Sequence, residues 1–321
     1  MNIVFCADRQ VLAGLHVAAF SVLKRIGRSV SCTRISIFSD SLTISDLDLL
    51  RKTLDGTGKP YQLEFRQIVP ENYAGFPPLN GSRSAYYRLQ AAQEMEVERF
   101  LYLDVDTLCQ MDVSTLADLD MGAFPTACVP EAPMDMTVDR TVGTALGNSP
   151  DDYYFNSGIL LVNVVEWRQQ EITRKAMEYI ALSYPKYHDQ SALNVVLHRN
   201  YFPLGSEYNC MSNMRKNWPS LVRSADKVGK IIHFIDYPKP WDLLAEWIHP
   251  NSRLWRAELE QTAMKDFRSW HTAPTRKFPR TRKMWAGYKR VLKDRLLFAG
   301  YERQWLTNIK GIPAATPQSS R

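Results

Sequence analysis

The sequence predicts an α/β fold in which a mainly parallel central sheet carries helices on both faces. Strand-like and helix-like patterns alternate along the first 130 residues, and such alternation is the signature of β-α-β units. A continuous apolar run at 158–165 (GILLVNVV) is typical of a strand buried on both faces. The chain has 321 residues, 45% apolar and 23% charged, which suits one large domain with an appendage or two modest domains.

The predicted elements follow one another along the chain. Strands are expected where apolar residues run continuously or alternate with polar ones, at 2–7, 34–38, 62–68, 99–103, 158–165 and 231–235. Helices are expected where apolar residues recur at helical spacing, at 11–26, at 85–95, at 166–182, at 189–197 and in the segment opened by Thr43 or Ser45 as N-cap.

Beyond residue 241 the pattern becomes helical, basic and aromatic. We therefore place a main domain over residues 1–250 and a helical C-terminal extension over residues 251–321, with a disordered end at 313–321. Residues 253–321 carry 16 basic and 5 acidic side chains, whereas residues 1–252 carry 24 basic and 29 acidic ones. Because the main domain is acidic and shows no recognised binding motif, nucleic-acid binding is not expected.

The cysteines and the hydropathy pattern predict a cytoplasmic protein. The five cysteines are scattered and contain no CxxC pair, which argues against a disulfide framework or a zinc ribbon and favours a reducing compartment. The N-terminus lacks the pattern of a signal peptide, and no apolar stretch reaches the length of a transmembrane helix.

Two acidic residues, Asp104 and Asp106, follow the predicted strand at 99–103. In an open parallel sheet, ligands bind beyond the carboxyl ends of the strands. Residues two apart in an extended chain project to the same side, so both carboxylates could face one divalent cation. The alternative is a pair of solvated aspartates in a turn, since Asp commonly follows strands.

Three further residues strengthen the interpretation as a metal site. Asp8 follows the first strand and belongs to the same edge of the sheet. His233, within the apolar run at 231–235, is a suitable third ligand, and Lys239 would complement the charge of a phosphate. The alternatives are a buried histidine with satisfied hydrogen bonds and a solvated surface lysine.

Six segments in this order resemble glycosyltransferase family 8, whose members are retaining enzymes with a GT-A fold. They are IVFCAD near the start, AYYRL at 85–89, FLYLDVDTL at 100–108, YYFNSGILLVN at 153–163, HDQSALN at 188–194 and the pattern HF…KPW at 233–241. The closest likeness is to bacterial lipopolysaccharide galactosyl- and glucosyltransferases, and it covers roughly residues 1–245. This resemblance implies transfer of galactose or glucose from a UDP-sugar to a glycan or a lipid-linked saccharide.

The resemblance also implies a role for individual residues. Asp104 and Asp106 would form the DxD motif, with His233 as the third ligand of Mn²⁺, or of Mg²⁺ as the alternative. Ala7 and Asp8 would contact the uracil. The other residues that the resemblance places at the donor are Arg88, Val105, Asn156, Ser157, Asp189, Gln190 and Lys239.

Within that set, Val105 would meet the ribose through its backbone, and Arg88 would contact the donor sugar and the diphosphate. Lys239 would reach the diphosphate, and Asn156 and Ser157 would line the sugar pocket. Local alternatives remain for some of these residues. Arg88 could be a charge on a helix surface, and Asn156 could simply end a loop.

The chain departs from the family pattern at a few positions. Gln10 and Val11 stand where Asn and an aromatic residue are common, so the contacts to the base are expected to differ. Ser191 replaces a frequent acidic residue, and Asp236 replaces a glycine close to the expected diphosphate.

The resemblance implies retention of the anomeric configuration, for which two routes exist. A covalent glycosyl-enzyme requires a nucleophile on the face opposite UDP, where Gln190 is the candidate and an amide is a poor nucleophile. The sequence shows no base beside Ser191. We therefore favour front-face substitution, with Gln190 and Asp189 positioning the sugar, although Asp189 could serve only as an N-cap.

The basic extension allows two interpretations. Residues 276–306 combine aromatic and basic side chains at roughly helical spacing, which suits the surface of an anionic membrane and peripheral attachment to its inner face. The alternative is a helix packed on the main domain with a solvated basic face.

Two rival functions are weighed against the transferase. A glycoside hydrolase needs carboxyl groups on either side of the scissile bond, and Asp104 with Asp106 share one side. A catalytically weak sugar-nucleotide-binding module, or a UDP-sugar hydrolase, would keep the same nucleotide site without transfer to an acceptor.

Overall fold

The computed structural model describes residues 1–79, 81–212, 229–235, 237–245, 251–268 and 278–297. Its strands are β1 (Asn2–Cys6), β2 (Thr33–Ser39), β3 (Tyr61–Gln67), β4 (Arg99–Leu103), β5 (Thr107–Cys109), β6 (Thr126–Cys128), β7 (Pro130–Pro133), β8 (Tyr153–Phe155), β9 (Ile159–Asn163), β10 (Phe202–Pro203), β11 (Cys210–Met211) and β12 (Ile231–His233). Its helices are α1 (Leu12–Arg25), α2 (Ile44–Asp55), α3 (Tyr87–Glu94), α4 (Arg140–Ala145), α5 (Val164–Gln169), α6 (Ile172–Ser183), α7 (His188–Val196), α8 (Ser252–Leu259) and α9 (Phe278–Leu297).

Within these ranges, seven strands form the central sheet in the order β10-β6-β9-β4-β1-β2-β3. Strands β1 to β4 pair in parallel, as do β6 and β10, whereas β9 runs antiparallel to both β4 and β6. The predicted mainly parallel sheet is confirmed, with one reversed strand at its centre. The continuous apolar pattern at 158–165 indicates burial on both faces but carries no information about strand direction.

The sheet is covered by helices on both faces because the side chains of its strands alternate. Ile3 and Phe5 of β1 pack in one cluster with Leu15 and Ala18 of α1. Val4 and Cys6 point the opposite way and pack with residues of α3 and α6. Successive side chains of a strand face opposite sides, so a strand that is apolar throughout must be covered twice.

The segment predicted as one helix at 166–182 forms two helices, α5 and α6. Between them Glu171 has a left-handed backbone with φ of 54°, and the N–H of Gln170 bonds the carbonyl of Glu166. The prediction of a single helix is therefore wrong. No glycine or proline marks the break, and the apolar residues keep their helical spacing across it. The sequence pattern therefore does not reveal where α5 ends.

A smaller sheet in the order β11-β12-β5 lies beside the carboxyl end of β4. Strand β12 is antiparallel to β5 and parallel to β11. Since β5 directly follows the acidic pair, this small sheet brings the segment at 231–233 to residues 104–106 across more than 120 positions of sequence.

The C-terminal helices contact the main domain. Trp255 and Leu259 of α8 join a buried cluster with Ala13, Val17 and Trp241. Since α8 shares this cluster with residues before 250, its packing does not mark a boundary at residue 250, and that boundary stays a prediction.

Helix α9 lies against the loop that contains Lys239. A Cβ on Gly287 would lie 2.1 Å from the carbonyl oxygen of Tyr237, Met284 is buried, and the hydroxyl of Tyr288 donates to the carbonyl of Leu243. Among the side chains of α9 that the structure describes, Trp285 (51%) and Leu292 (61%) are large, apolar and exposed. No helix within the described ranges has the length and hydropathy needed to cross a membrane.

Candidate metal centre and donor cleft

Asp104 and Asp106 lie directly after β4, at the carboxyl edge of the central sheet. The N–H of Asp104 donates to the carbonyl oxygen of Gly158 at 2.7 Å, which continues the β4–β9 ladder by one bond. The hydroxyl of Tyr102 donates to Asp104 Oδ1. The backbone of the acidic pair is therefore held by the sheet rather than by a free loop.

His233 reaches the acidic pair through the small sheet, in which it stands opposite Thr107. Its Nε2 lies 3.2 Å from Asp106 Oδ1 and 3.7 Å from Asp104 Oδ2. One ligand atom from each of the three residues lies within 4.8 Å of the others. The imidazole and both carboxylates therefore converge on one point, as the predicted metal site requires.

Gly158 provides the space in which these groups meet. A Cβ at this position would lie 2.2 Å from His233 Cε1 and 2.8 Å from Asp104 Oδ2. Both distances are far shorter than ordinary contacts between side chains, so a side chain here would separate the imidazole from Asp104. The glycine of the NSG segment thus has a steric function at the candidate metal centre.

The donor set suits a divalent cation. Two carboxylates and one imidazole match the ligands of Mn²⁺, and carboxylates alone would suit Mg²⁺. Asp106 Oδ1 is a buried oxygen without a hydrogen-bond partner among the described residues. A buried unpaired acceptor is costly, and a cation held by the three side chains would satisfy it.

Lys239 lies at the same centre and is buried. Its Nζ is 2.6 Å from Asp106 Oδ2 and also donates to the carbonyl oxygen of Phe234. Burial alone would raise the pKa of Asp106, but Lys239 and His233 together outweigh it and hold that pKa below its ordinary value. Asp106 is therefore ionised throughout the neutral range.

Arg88 joins the metal centre to the other half of the site. Its Nη2 lies 2.9 Å from Asp104 Oδ1, and its Nε lies 3.1 Å from Asp189 Oδ2. Nη1 donates to the backbone carbonyl and the hydroxyl of Ser157. The guanidinium also lies 4.3 Å from the centre of the Tyr102 ring, so Arg88 is a buried bridge and not a charge on the helix surface.

Asn156, Ser157 and Gln190 form a connected group beside Arg88. Gln190 Oε1 accepts from the side-chain amide of Asn156 and from the Ser157 N–H, both at 3.1 Å. The Gln190 side-chain amide donates to the hydroxyl of Tyr154 at 3.0 Å. Both ends of the Gln190 amide are therefore held by the protein.

Asp189 lies on the first turn of α7 and is 2% exposed. Burial raises the pKa of its carboxyl to about 6, although Arg88 acts in the opposite direction. This carboxylate is thus much less strongly held in its charged form than Asp106.

The hydroxyl of Ser191 has a carboxylate beside it, which sequence reasoning did not find. It donates to Asp139 Oδ2, and Asp139 also accepts from Thr141 at 2.7 Å and from Tyr154 at 3.3 Å. Both Ser191 and Asp139 are completely buried. The pair therefore belongs to the packing behind Gln190 and does not face a substrate.

An open cleft with a volume of about 140 Å³ lies in front of the acidic pair. Of the predicted donor residues, it is lined by Asp8, Arg88, Asp104, Val105, Asp106 and Lys239, and Val11 also contributes. Ala7 does not line it, because Ala7 is fully buried with its N–H on the carbonyl of Phe38. Asp236, expected near the diphosphate, lies outside the described residues.

Three residues of this region escaped the sequence analysis. Asn209 accepts a hydrogen bond from His233 Nδ1 at 3.0 Å, Asp139 contacts Ser191, and Glu131 is a buried carboxyl. Burial raises the pKa of Glu131 to about 7, with His233 acting against it. All three lie in segments without periodic patterns, and a buried polar residue in such a segment has no local signal.

The sequence of this chain is similar to those of known proteins. A family model described as glycosyl transferase family 8 matches residues 2–245. General stress protein A of Bacillus subtilis is 26% identical over 259 residues, which are 75% of this chain and 87% of that protein. Lipopolysaccharide 1,2-glucosyltransferase of Escherichia coli K12 is 29% identical over 198 residues, 58% of this chain and just over half (56%) of that enzyme.

A solved structure shows the same fold. The crystal structure of the galactosyltransferase LgtC, in complex with donor and acceptor sugar analogues, superposes with a TM-score of 0.68 at 23% identity. The superposition covers 82% of this chain and 96% of that chain. The predicted GT-A arrangement of sheet and helices is confirmed by this likeness.

Proposed function

The chain belongs to glycosyl transferase family 8 and is a glycosyltransferase, and on that premise we propose that it moves glucose or galactose from a UDP-sugar to a saccharide acceptor. One observation carries the proposal, namely the convergence of Asp104, Asp106 and His233 beside a cleft that Lys239 also lines. Two carboxylates, an imidazole and an ammonium at one sheet edge suit a leaving diphosphate with its cation.

We propose Asp104, Asp106 and His233 as the ligands of Mn²⁺, with Mg²⁺ as the alternative. When bound, the cation supplies positive charge to the diphosphate as it leaves the sugar. Lys239 adds a second positive charge whose position is fixed by its contacts to Asp106 and Phe234. A charge fixed in advance stabilises a developing anion more effectively than one that must be brought into place.

We propose that the sugar lies beyond Arg88, which lines the cleft and contacts Ser157 and Asp189, with Asn156 and Gln190 next to them. We propose front-face substitution, in which the bond from the anomeric carbon to the phosphate oxygen breaks while the acceptor oxygen bonds the same face. The departing phosphate oxygen takes the proton of the acceptor. Gln190 is held at both ends of its amide, Asp189 is paired with Arg88 and Ser191 is fully buried, so none of them is a ready nucleophile.

The choice of donor and acceptor rests on the relatives. The Escherichia coli relative is named as a lipopolysaccharide glucosyltransferase, and the solved structure is that of a galactosyltransferase. We therefore propose glucose or galactose as the transferred hexose and a glycan or glycolipid as the acceptor. Residues 1–250 would form the catalytic domain, to which residues 251–321 are appended.

Release of UDP tests the proposal most directly. The full chain is incubated with UDP-glucose, UDP-galactose and other sugar nucleotides, with Mn²⁺, with Mg²⁺ or with EDTA. We expect release from one UDP-hexose, dependent on a divalent cation and stimulated by a lipopolysaccharide-derived acceptor. Release that no acceptor stimulates would favour a UDP-sugar hydrolase, and binding without release would favour a binding module.

We also propose that the extension attaches the enzyme to the inner face of an anionic membrane. The outer side of α9 exposes Trp285 and Leu292 next to the basic residues Arg282, Lys289 and Lys293. Aromatic and basic side chains on one face suit the headgroup region.

Co-sedimentation with anionic liposomes compares the full chain with a version that ends near residue 275. We expect binding by the full chain to exceed that of the shortened one at least roughly tenfold at low salt. The double variant Trp285→Ser, Leu292→Ser is expected to bind like the shortened chain. Equal binding by all three proteins would show that α9 does not attach the protein to the membrane.

A further inference from the structure

The imidazole of His233 is held by a side chain that no motif includes. Asn209 ends a short 3₁₀ helix and leads into β11, which pairs in parallel with β12. That pairing sets Asn209 Oδ1 at 3.0 Å from His233 Nδ1, and both side chains are buried. Because a ligating imidazole needs its second nitrogen fixed, this contact bears on how well the metal centre is prepared.

The direction of this hydrogen bond follows from a backbone N–H that can only donate. The N–H of Gly158 donates to Asn156 at 3.0 Å, so the acceptor end of the Asn156 amide must lie there as Oδ1. The same oxygen accepts from Asn209 Nδ2 at 3.1 Å. Asn209 must then present its own oxygen to His233, and an oxygen can only accept.

The protonation of the imidazole follows from that orientation. Since Asn209 Oδ1 accepts, Nδ1 carries a hydrogen, and in the neutral imidazole that metal binding requires, Nε2 then keeps its lone pair. That lone pair faces Asp106 Oδ1 at 3.2 Å, so two acceptors oppose each other at a distance that only a cation or a shared proton can bridge. His233 is thus held in the tautomer that binds a metal through Nε2.

Asn156 links this arrangement to the sugar half of the site. Its amide nitrogen donates to Gln190 Oε1, and the Ser157 N–H independently fixes that oxygen. Both ends of the Asn156 side chain are therefore engaged inside the protein.

We propose that Asn209 is the positioning residue that selects the metal-binding tautomer of His233, and that Asn156 orients Asn209. The inference concerns the imidazole and its cation, so it stands or falls separately from the identity of the donor and acceptor. It assigns to Asn156 a part in metal binding besides the part in the sugar pocket that we propose above.

The test measures the affinity for Mn²⁺ alone, by electron paramagnetic resonance of the free ion, in the full-length protein. Asn209→Leu removes the acceptor at similar volume, and we expect Mn²⁺ binding to weaken roughly 10- to 100-fold. Asn209→Asp keeps an acceptor for Nδ1–H but loses the donor to Asn156, so its Mn²⁺ binding is expected to weaken less than that of Asn209→Leu, by under about tenfold. Nitrogen-15 spectra of the metal-free protein should show a hydrogen on Nδ1 of His233 in the wild type and in Asn209→Asp.

The matched control is Asn194→Leu. Asn194 is also a buried amide with bonds to the backbone of Phe155 and Gln190, but it touches no candidate ligand. Its variant should lose stability and keep its affinity for Mn²⁺. The proposal is overturned if Asn209→Leu binds Mn²⁺ no more weakly than Asn194→Leu, or if the wild-type His233 carries its hydrogen on Nε2.

Discussion

The two halves of the cleft compensate buried acidic groups in different ways. On the metal side, formed by Asp104, Asp106, His233 and Lys239, the acidic groups lie beside cations, and Lys239 lowers the pKa of Asp106. On the proposed sugar side, which comprises Asn156, Ser157, Asp189 and Gln190, burial raises the pKa of Asp189 to about 6, and Asp139 lies behind Gln190 among hydroxyl groups.

The difference indicates what each half is prepared to bind. Carboxylates kept ionised by adjacent positive charge are ready to receive a cation with a diphosphate. A network of amides and hydroxyls fixes geometry without presenting a strong charge, as the recognition of a neutral sugar requires. Arg88 is shared by both halves, since it contacts Asp104 and Asp189 through separate nitrogens.

The largest loss of activity is expected when one charge is removed from the metal side. We expect Asp106→Asn to lower the rate of UDP release at least about 10³-fold, because the cation loses an anionic ligand and Lys239 loses its ionic contact with Asp106. UDP release with saturating Mn²⁺ measures the change, and circular dichroism confirms the fold. Asp48→Asn, an exposed change on α2, is the control, and substantial Mn²⁺-dependent turnover by Asp106→Asn would contradict the metal assignment.

A smaller loss of activity is expected from a substitution that keeps every charge and changes only the space between His233 and Asp104. Gly158→Ala introduces a methyl group where 2.2 Å separates it from His233, so we expect weaker Mn²⁺ binding and about a 10²-fold loss of kcat/KM. Titration with Mn²⁺ and UDP release report the two effects.

Gly75→Ala is the matched control for that change, since a Cβ there meets no atom within 4 Å. A Gly158→Ala enzyme with unchanged Mn²⁺ affinity would show that the imidazole does not need this space.

The smallest expected effect is a change in how the free energy of unfolding depends on pH. A carboxyl whose pKa rises on folding from 3.8 to about 6 takes up protons more readily in the folded state. Its favourable contribution is complete below the unfolded value and is lost as pH rises towards 6. We expect Asp189→Asn to reduce the fall in the free energy of unfolding between about pH 4 and pH 7 by roughly 1–3 kcal/mol.

Urea denaturation of the metal-free protein across this range measures the effect of Asp189→Asn. Asp151→Asn, a change of an exposed aspartate in a loop, should leave the pH profile unchanged. Identical profiles for the wild type and Asp189→Asn would mean that burial does not disfavour the charged form of Asp189. Asp106 should behave in the opposite sense, since its lowered pKa makes its contribution decline on acidification.

The metal side was more accessible to sequence reasoning than the sugar side. Asp104 and Asp106 stand two apart after an apolar strand, so a local rule of alternation predicts that they share a side. His233 was named as a suitable third ligand with a buried histidine as the alternative, and only the family resemblance assigned it to the metal, because the small sheet that positions it pairs segments far apart in sequence. The separation of 166–182 into two helices was missed because no local signal in the sequence marks the left-handed backbone of Glu171.

The residues that hold the functional groups were not predictable at all. Asn209 and Asp139 lie in irregular segments, and their partners, His233 and Ser191, are 24 and 52 positions away. A single Asn or Asp in a loop is statistically ordinary. Such roles depend on which buried donor meets which buried acceptor, and that information arises only after the chain has folded.

Contact between α9 and the loop of Lys239 has a consequence for how the molecule is oriented. At Gly287 the helix backbone touches Tyr237 without an intervening side chain, and Trp285 and Leu292 point away from that contact. Whatever layer receives those two side chains is therefore separated from Lys239 by little more than the width of one helix. The distance and angle between the cleft and that layer would then be fixed. Acceptors anchored in the layer would have to be long enough to reach the cleft, which would select among them by length.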